Sequence, residues 1–100
     1  MGTSQKTANF FMASRLADAA AGDIDALIDL GIAYSAGSQG LGVDLIEAHK
    51  WFNLAALRGS SEAQGHRAEI AEDMSAREIA EAQRQARAFL AETQPVRRAA

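Results

Sequence analysis

Few residues in this chain could start any chemistry. It has two histidines, His49 and His66, and no cysteine, which excludes thiol catalysis, iron–sulfur clusters, zinc fingers and disulfide scaffolds. His66 follows Glu62 by four residues and precedes Glu69 by three, so on a helix the three side chains share one face. A carboxylate–imidazole–carboxylate stripe can ligate a transition metal. A di-metal bundle, however, needs two Glu-x-x-His motifs and further carboxylates on facing helices, and only this one imperfect cluster exists. A solvated helix face is the simpler reading. No Ser-His-Asp order and no pair of catalytic carboxylates stands out. Gly37, Gly40 and Gly42 lack the following Lys-Ser or Lys-Thr of a phosphate-binding loop. The expectation is a protein that is not an enzyme, with no catalytic residue, cofactor or metal. The alternative is a metal-binding or enzymatic helical protein using Glu62, His66 and Glu69.

The elements that would position these residues are helices. Of the 100 residues, 48% are apolar, but 23 are alanine, the best helix former. Val, Ile and Thr together number 11, which disfavours a sheet. Five helical segments follow. The first runs from about Ala8 to Ala21, with Phe10, Ala13, Ala17 and Ala20 at helical spacing. Gly22 ends it, and Asp23 caps a second helix over Ile24 to Ala36. The glycine-rich stretch 37–42 is a loop, its glycines free to take positive φ. Asp44 with Glu47 starts a third helix that ends at Gly59, and Ser61 with Gln64 starts a fourth. Ser75 with Glu78 is a capping box for a fifth, about Ala76 to Glu92, beyond which Pro95 forbids much extension. Residues 1–7 are expected as a flexible N-terminus, 8–92 as one helical domain and 93–100 as a tail.

Charge and hydropathy narrow the partners. Formal net charge is −3, which speaks against non-specific nucleic-acid binding, since that needs phosphate neutralisation. Residues 1–49 carry two basic and six acidic side chains, residues 50–100 eight and seven. Arg77, Arg84 and Arg87 fall on one side of the last helix with Glu78, Glu81 and Glu92 interleaved, which is the pattern of an ion-paired surface. No stretch approaches the length of a membrane span. The longest apolar cluster, Phe10 to Ala13, is too short for a signal-peptide core. A cytoplasmic protein is expected, with a membrane complex open as a partner.

The third helix is apolar on two sides. Trp51, Ala55, Ala48, Phe52, Leu45 and Ala56 fill one continuous arc, and Ile46, Leu57 and Leu54 lie opposite. A helix of that kind sits between neighbours. A repeat also shows. Gly22 to Gly59 and Ala26 to Ala63 are both shifts of 37 residues, and paired helices at such a period indicate a solenoid. One helix pair cannot bury its own apolar faces, whereas stacked pairs can.

The segment from Ala26 to Gly37 reads A-x-x-x-L-G-x-x-Y-x-x-G through Leu30, Gly31 and Tyr34. It continues through Gly42, Asp44, Ala48, Trp51, Ala55, Ala56 and Gly59. This resembles one full Sel-one-like repeat, a relative of the tetratricopeptide repeat, with a partial copy on each side. The spacing from Tyr34 to Asp44 is one residue longer than the family pattern, which implies a bulged loop. In the next copy the L-G-x-x-Y residues are replaced by Arg67, Ala68 and Ala71, as in a capping repeat. The C-terminal stretch with Met74-Ser75, Ile79, Ala82-Gln83-Arg84 and Ala86-Arg87 is similar to the capping segment of short bacterial, alphaproteobacterial-like members. The resemblance implies an all-α stack of antiparallel helix pairs that works by protein–protein interaction, as an adaptor or accessory subunit. On the residues themselves, Gly31 with Ala48, Ala55 and Ala56 permits close helix approach, Tyr34 and Trp51 supply large contact area, and the loop glycines serve backbone geometry.

In a stack of this kind the first helix of each pair lines the concave groove. On the second helix Ile28 and Ile32 lie opposite the motif face, next to Asp25 and Asp29. Ile28, Ile32, Asp25, Asp29 and Ser35 are therefore the expected partner-binding residues, an apolar patch with an acidic rim. The competing expectation is that Phe10 and Phe11 of the first helix cover the isoleucines.

Overall fold

The computed structural model describes residues 2–94. They form five helices: α1 (Gly2–Ala20), α2 (Ile24–Ala36), α3 (Leu45–Leu57), α4 (Ser61–Ala71) and α5 (Ala76–Thr93). No strand occurs among the described residues. The fold is all-α, a short solenoid-like stack of packed helix pairs with overall dimensions of 54 × 31 × 23 Å. α3 is its centre and packs against α2, α4 and α5, while α1 packs mainly on α2.

Short polar side chains set the helix starts. Asp23 accepts from the Ala26 amide at 3.1 Å and Asp44 from the Glu47 amide at 3.1 Å. Each satisfies a first-turn N–H that has no partner within its own helix. The fourth helix is capped by Ser60, which accepts from Ala63 N–H at 3.0 Å, and not by Ser61. Gly59 turns at φ +101° and leaves Ser60 in the extended conformation a cap needs. The Ser75–Glu78 box forms in full, with Glu78 accepting from the Ser75 amide at 2.8 Å and Ser75 from the Glu78 amide at 3.1 Å. Glu47 does not return to Asp44 in this way; it pairs with Lys50 at 2.7 Å. α1 starts at Gly2 and not at about Ala8, since residues 3–8 contain neither Gly nor Pro to stop it. The C-terminal tail lies, from Pro95 on, outside the described residues.

The core is built around Phe52. It is 1% exposed, and its ring stacks on His66 of α4 with centroids 4.9 Å apart. On the α2 side a Cβ at Gly31 would come within 2.5 Å of the same ring, so the absence of a side chain at position 31 is what lets α3 approach. Ala26, Ala48, Ala55 and Ala63 are fully buried around it. Trp51 closes the other side of α3, meeting Phe89 of α5 edge-on at 4.9 Å. The expected second apolar side of α3 is narrower than its composition suggests. Leu54 is buried, but Leu57 is exposed at the last turn.

The loop between α2 and α3 is tied back onto α2. Asp44 N–H donates to the Tyr34 carbonyl at 3.0 Å, and Ser38 N–H to that of Ala33 at 3.0 Å. Gly37 takes φ +70°, and Val43 packs where its Cβ would be. The remaining left-handed positions are Gly40 and Gln39. Gly42 takes no positive φ and meets nothing a Cβ would strike, so the backbone freedom expected of it is not used.

Candidate interaction surface

The structure divides the residues expected to bind a partner. Ile28 is buried and belongs to the core cluster against which Phe11 and Met12 of α1 pack; it is unavailable as a contact. Ile32, one turn later, is 42% exposed. Of the two phenylalanines expected to cover the isoleucines, Phe11 packs against the core cluster and Phe10 is 76% exposed. Asp25, Asp29, Ile32 and Ala36 are all exposed and follow at i, i+4, i+7 and i+11, so they share one stripe of α2. Ser35 is half-buried and donates its hydroxyl to the Ile32 carbonyl at 3.1 Å, which turns it back onto its own helix. The acidic rim is partly neutralised, because Arg15 of α1 bridges Asp29 at 3.2 Å and Asp18 at 2.7 Å. What remains for a partner is Ile32, with Asp25 and Asp29 before it on the stripe and the small Ala36 after it.

The residues at the motif positions divide by burial: Gly42, Asp44 and Gly59 are exposed and Gly37 is half-buried. Ala26, Leu30, Gly31, Ala48, Trp51, Ala55 and Ala56 are buried. Tyr34 is half-buried, and burial, followed by the carboxylates of Glu47 and Asp44, pushes its phenol above the ordinary tyrosine range. Trp51 satisfies its area but not its polar tip, since its Nε1 is buried without a hydrogen-bond partner.

The carboxylate–histidine cluster does not assemble. His66 Nε2 lies 3.5 Å from Glu62, and the imidazole is stacked on Phe52. Among the described residues no group of three His, Asp or Glu side chains is placed to hold a metal ion. The other histidine is the one that sequence reasoning missed. His49 is 3% exposed, and its Nδ1 is buried with no partner. Burial, with the nearby Arg67 charge, holds the imidazole below its ordinary pKa. The signal was present, because His49 follows Leu45 by four residues and precedes Phe52 by three, on the apolar arc of α3.

A cleft of about 200 Å³ lies between α3 and α5, lined by Lys50, Arg84, Gln85, Ala88, Phe89 and Glu92. Its cations are already engaged. Lys50 pairs with Glu47 and sits 4.5 Å from the Trp51 ring centroid. Arg84 holds Glu81 through two hydrogen bonds of 2.9 and 2.7 Å. Hydrogen bonds from Arg84 and Gln85 bring the Glu81 carboxyl down to about 2, so that pair stays charged through any physiological pH. Of the interleaved charges on α5, Arg84 and Glu81 form an ion pair at 2.7 Å, while Glu78 accepts from the Ser75 amide.

Set against protein families, curated proteins and solved structures, the chain matches none of them. No described helix is long and apolar enough to cross a membrane.

Proposed function

We propose that this chain is a small interaction module of the Sel-one-like repeat type, an adaptor or accessory subunit without catalytic activity. The observation that carries this reading is the exposed α2 stripe, in which Ile32 stands 42% exposed between Asp29 and Ala36 on a helix packed against α3. A partner segment that fits it offers an apolar anchor flanked by Lys or Arg, because the rim is Asp25 and Asp29. The repeat reading is supported by the close Gly31–Phe52 approach and by the burial of the alanines at motif positions. The net charge of −3 favours a protein over a nucleic acid as partner. The cytoplasm, or the cytoplasmic side of a membrane complex, is the compartment we assign.

The test is retrieval of bound proteins from the native cell, identified by mass spectrometry, with wild type and Ile32→Asp side by side. The expected result is loss of the specific partner from the variant while circular dichroism stays unchanged. Equal recovery by both proteins overturns the assignment of the α2 stripe.

A further inference from the structure

The first helix carries a second uncovered surface. Phe10, Ala13, Leu16, Ala17 and Ala20 are all exposed, and at 100° per residue they form one continuous apolar strip. Phe10 is 76% and Leu16 37% exposed. The buried side of α1 is a different one, built from Ala19 with Phe11 and Met12. The charged residues of this stretch, Arg15 and Asp18, are tied to each other and to Asp29 of α2. No charge therefore lies on the strip between Phe10 and Ala20.

The opposite end of the stack cannot serve as its complement. The outward face of α5 presents Arg77, Glu78, Gln83, Arg84 and Arg87, all exposed. A head-to-tail contact would bury those charges against alanine and phenylalanine, at a large desolvation cost. The strip does complement itself. Laid antiparallel about a two-fold axis at Ala13, it sets Ala13 against Ala13 of the second copy. Phe10 then lies against the copy's Leu16, and Leu16 against its Phe10. Small residues at the crossing let the backbones approach, and bulky ones close the two flanks. The antiparallel arrangement also places the two helix dipoles favourably.

We propose that α1 is a self-association face, and that its occupant is the α1 helix of a second copy in an isologous, closed pair. This stands apart from the α2 stripe and does not depend on it. The strip from Phe10 to Ala20 is about 16 Å long and about 10 Å wide, small against the ~800 Å² per partner of a standard interface. The pair is accordingly a weak, reversible one, and protein concentration is the variable to scan.

The experiment is sedimentation equilibrium on the purified full chain, with Ala13→Glu and Ala13→Lys measured singly and mixed. Wild type is expected to rise from 10.6 kDa towards twice that mass as concentration increases. Each single variant, which would set like charges against each other at the two-fold axis, is expected to stay monomeric with an unchanged helical spectrum. An equimolar mixture is expected to recover the dimer. A wild type that stays monomeric throughout overturns the proposal, as does a dimer that survives both single substitutions; a mixture that fails to recover overturns the Ala13 register. Because the chain has no cysteine, Ala13→Cys supplies a second reading. Mild oxidation should give a covalent dimer there and none from Gln83→Cys on α5. Equal cross-linking at both positions also overturns the assignment.

Discussion

The two terminal helices, α1 and α5, are both rich in alanine, and they end the stack in opposite ways. α5 buries Ala82 and Ala86 and turns arginine and glutamate to the outside. Its start is fixed by a complete capping box. Its outer face is polar, with Ala82 and Ala86 turned inward. α1 buries Ala19 and leans Phe11 and Met12 on the core, but its outside is Phe10, Leu16 and three alanines. The comparison teaches that alanine content makes a helix and does not decide what the helix is for. The neighbours of the alanines decide, charged on α5 and apolar on α1.

The sharpest way to break this comparison is to place one charge on each helix at matched chemistry. Ala86→Glu puts a carboxylate where α5 meets α3, at a position 1% exposed. An unpaired charge buried there should cost about 3 kcal/mol or more, read as a fall in the urea midpoint. A variant of wild-type stability would mean that α5 is not packed against α3 at this position. A smaller effect is expected at the start of the same helix. Ser75→Ala removes the acceptor for Glu78 N–H and should cost about 1 kcal/mol, with Ser75→Gly costing less. Equal and negligible losses would show that the box does not hold this end.

How far the two ends could be told apart from sequence depends on where charges sit. On α5 the interleaved Arg and Glu mark the solvent side, and the Ser75–Glu78 pair marks the start, so both were legible. The all-helical class and the close approach at Gly31 were legible too, since a glycine inside a helix pattern needs a packing reason. On α1 the charges mislead. Arg15 and Asp18 look like an outward face, but Arg15 reaches across the junction to Asp29 of α2 and holds Asp18 beside it. The helix is apolar on both remaining sides, so periodicity alone could not choose which one the core takes. Ile28 and Ile32 failed for a related reason. They differ by about 40° around α2, and the edge of burial falls between them, which no helical wheel fixes before the neighbour's position is known. His49 was missed because the arc of α3 was traced through its apolar residues alone, and a histidine among them was given no place.

Between the two ends, His49 offers a test of the interior itself. Burial and the Arg67 charge lower its pKa in the folded protein, whereas the unfolded chain titrates near the ordinary ~6.5. As pH falls through that value the unfolded state takes up a proton that the folded state resists. Stability is therefore fully present above about pH 6.5 and declines below it. Urea midpoints at about pH 7.5 and about pH 5.5, a window above most carboxylate titrations, should show that decline in wild type. His49→Leu, which keeps bulk and removes the proton site, should flatten it. An unchanged slope in the variant would assign the pH dependence to another group.

The smallest expected effect is the partner of the first. Ala17→Glu makes on α1 the same change that Ala86→Glu makes on α5, but on the exposed strip. Glutamate is nearly as good a helix former as alanine, and an exposed site away from special contacts tolerates substitution within about 0.5 kcal/mol. At low protein concentration the urea midpoint should therefore barely move. At high concentration the two proteins should separate, because any stability the wild type gains by pairing depends on concentration and the variant has a charge on the pairing face. Two copies of one substitution then read the two ends by different variables. On α5 the loss is intrinsic to the fold and independent of concentration. On α1 it exists only where a second molecule is near. A concentration-independent loss at Ala17 would put α1's strip inside the fold of a single chain, and the difference between the two ends would disappear.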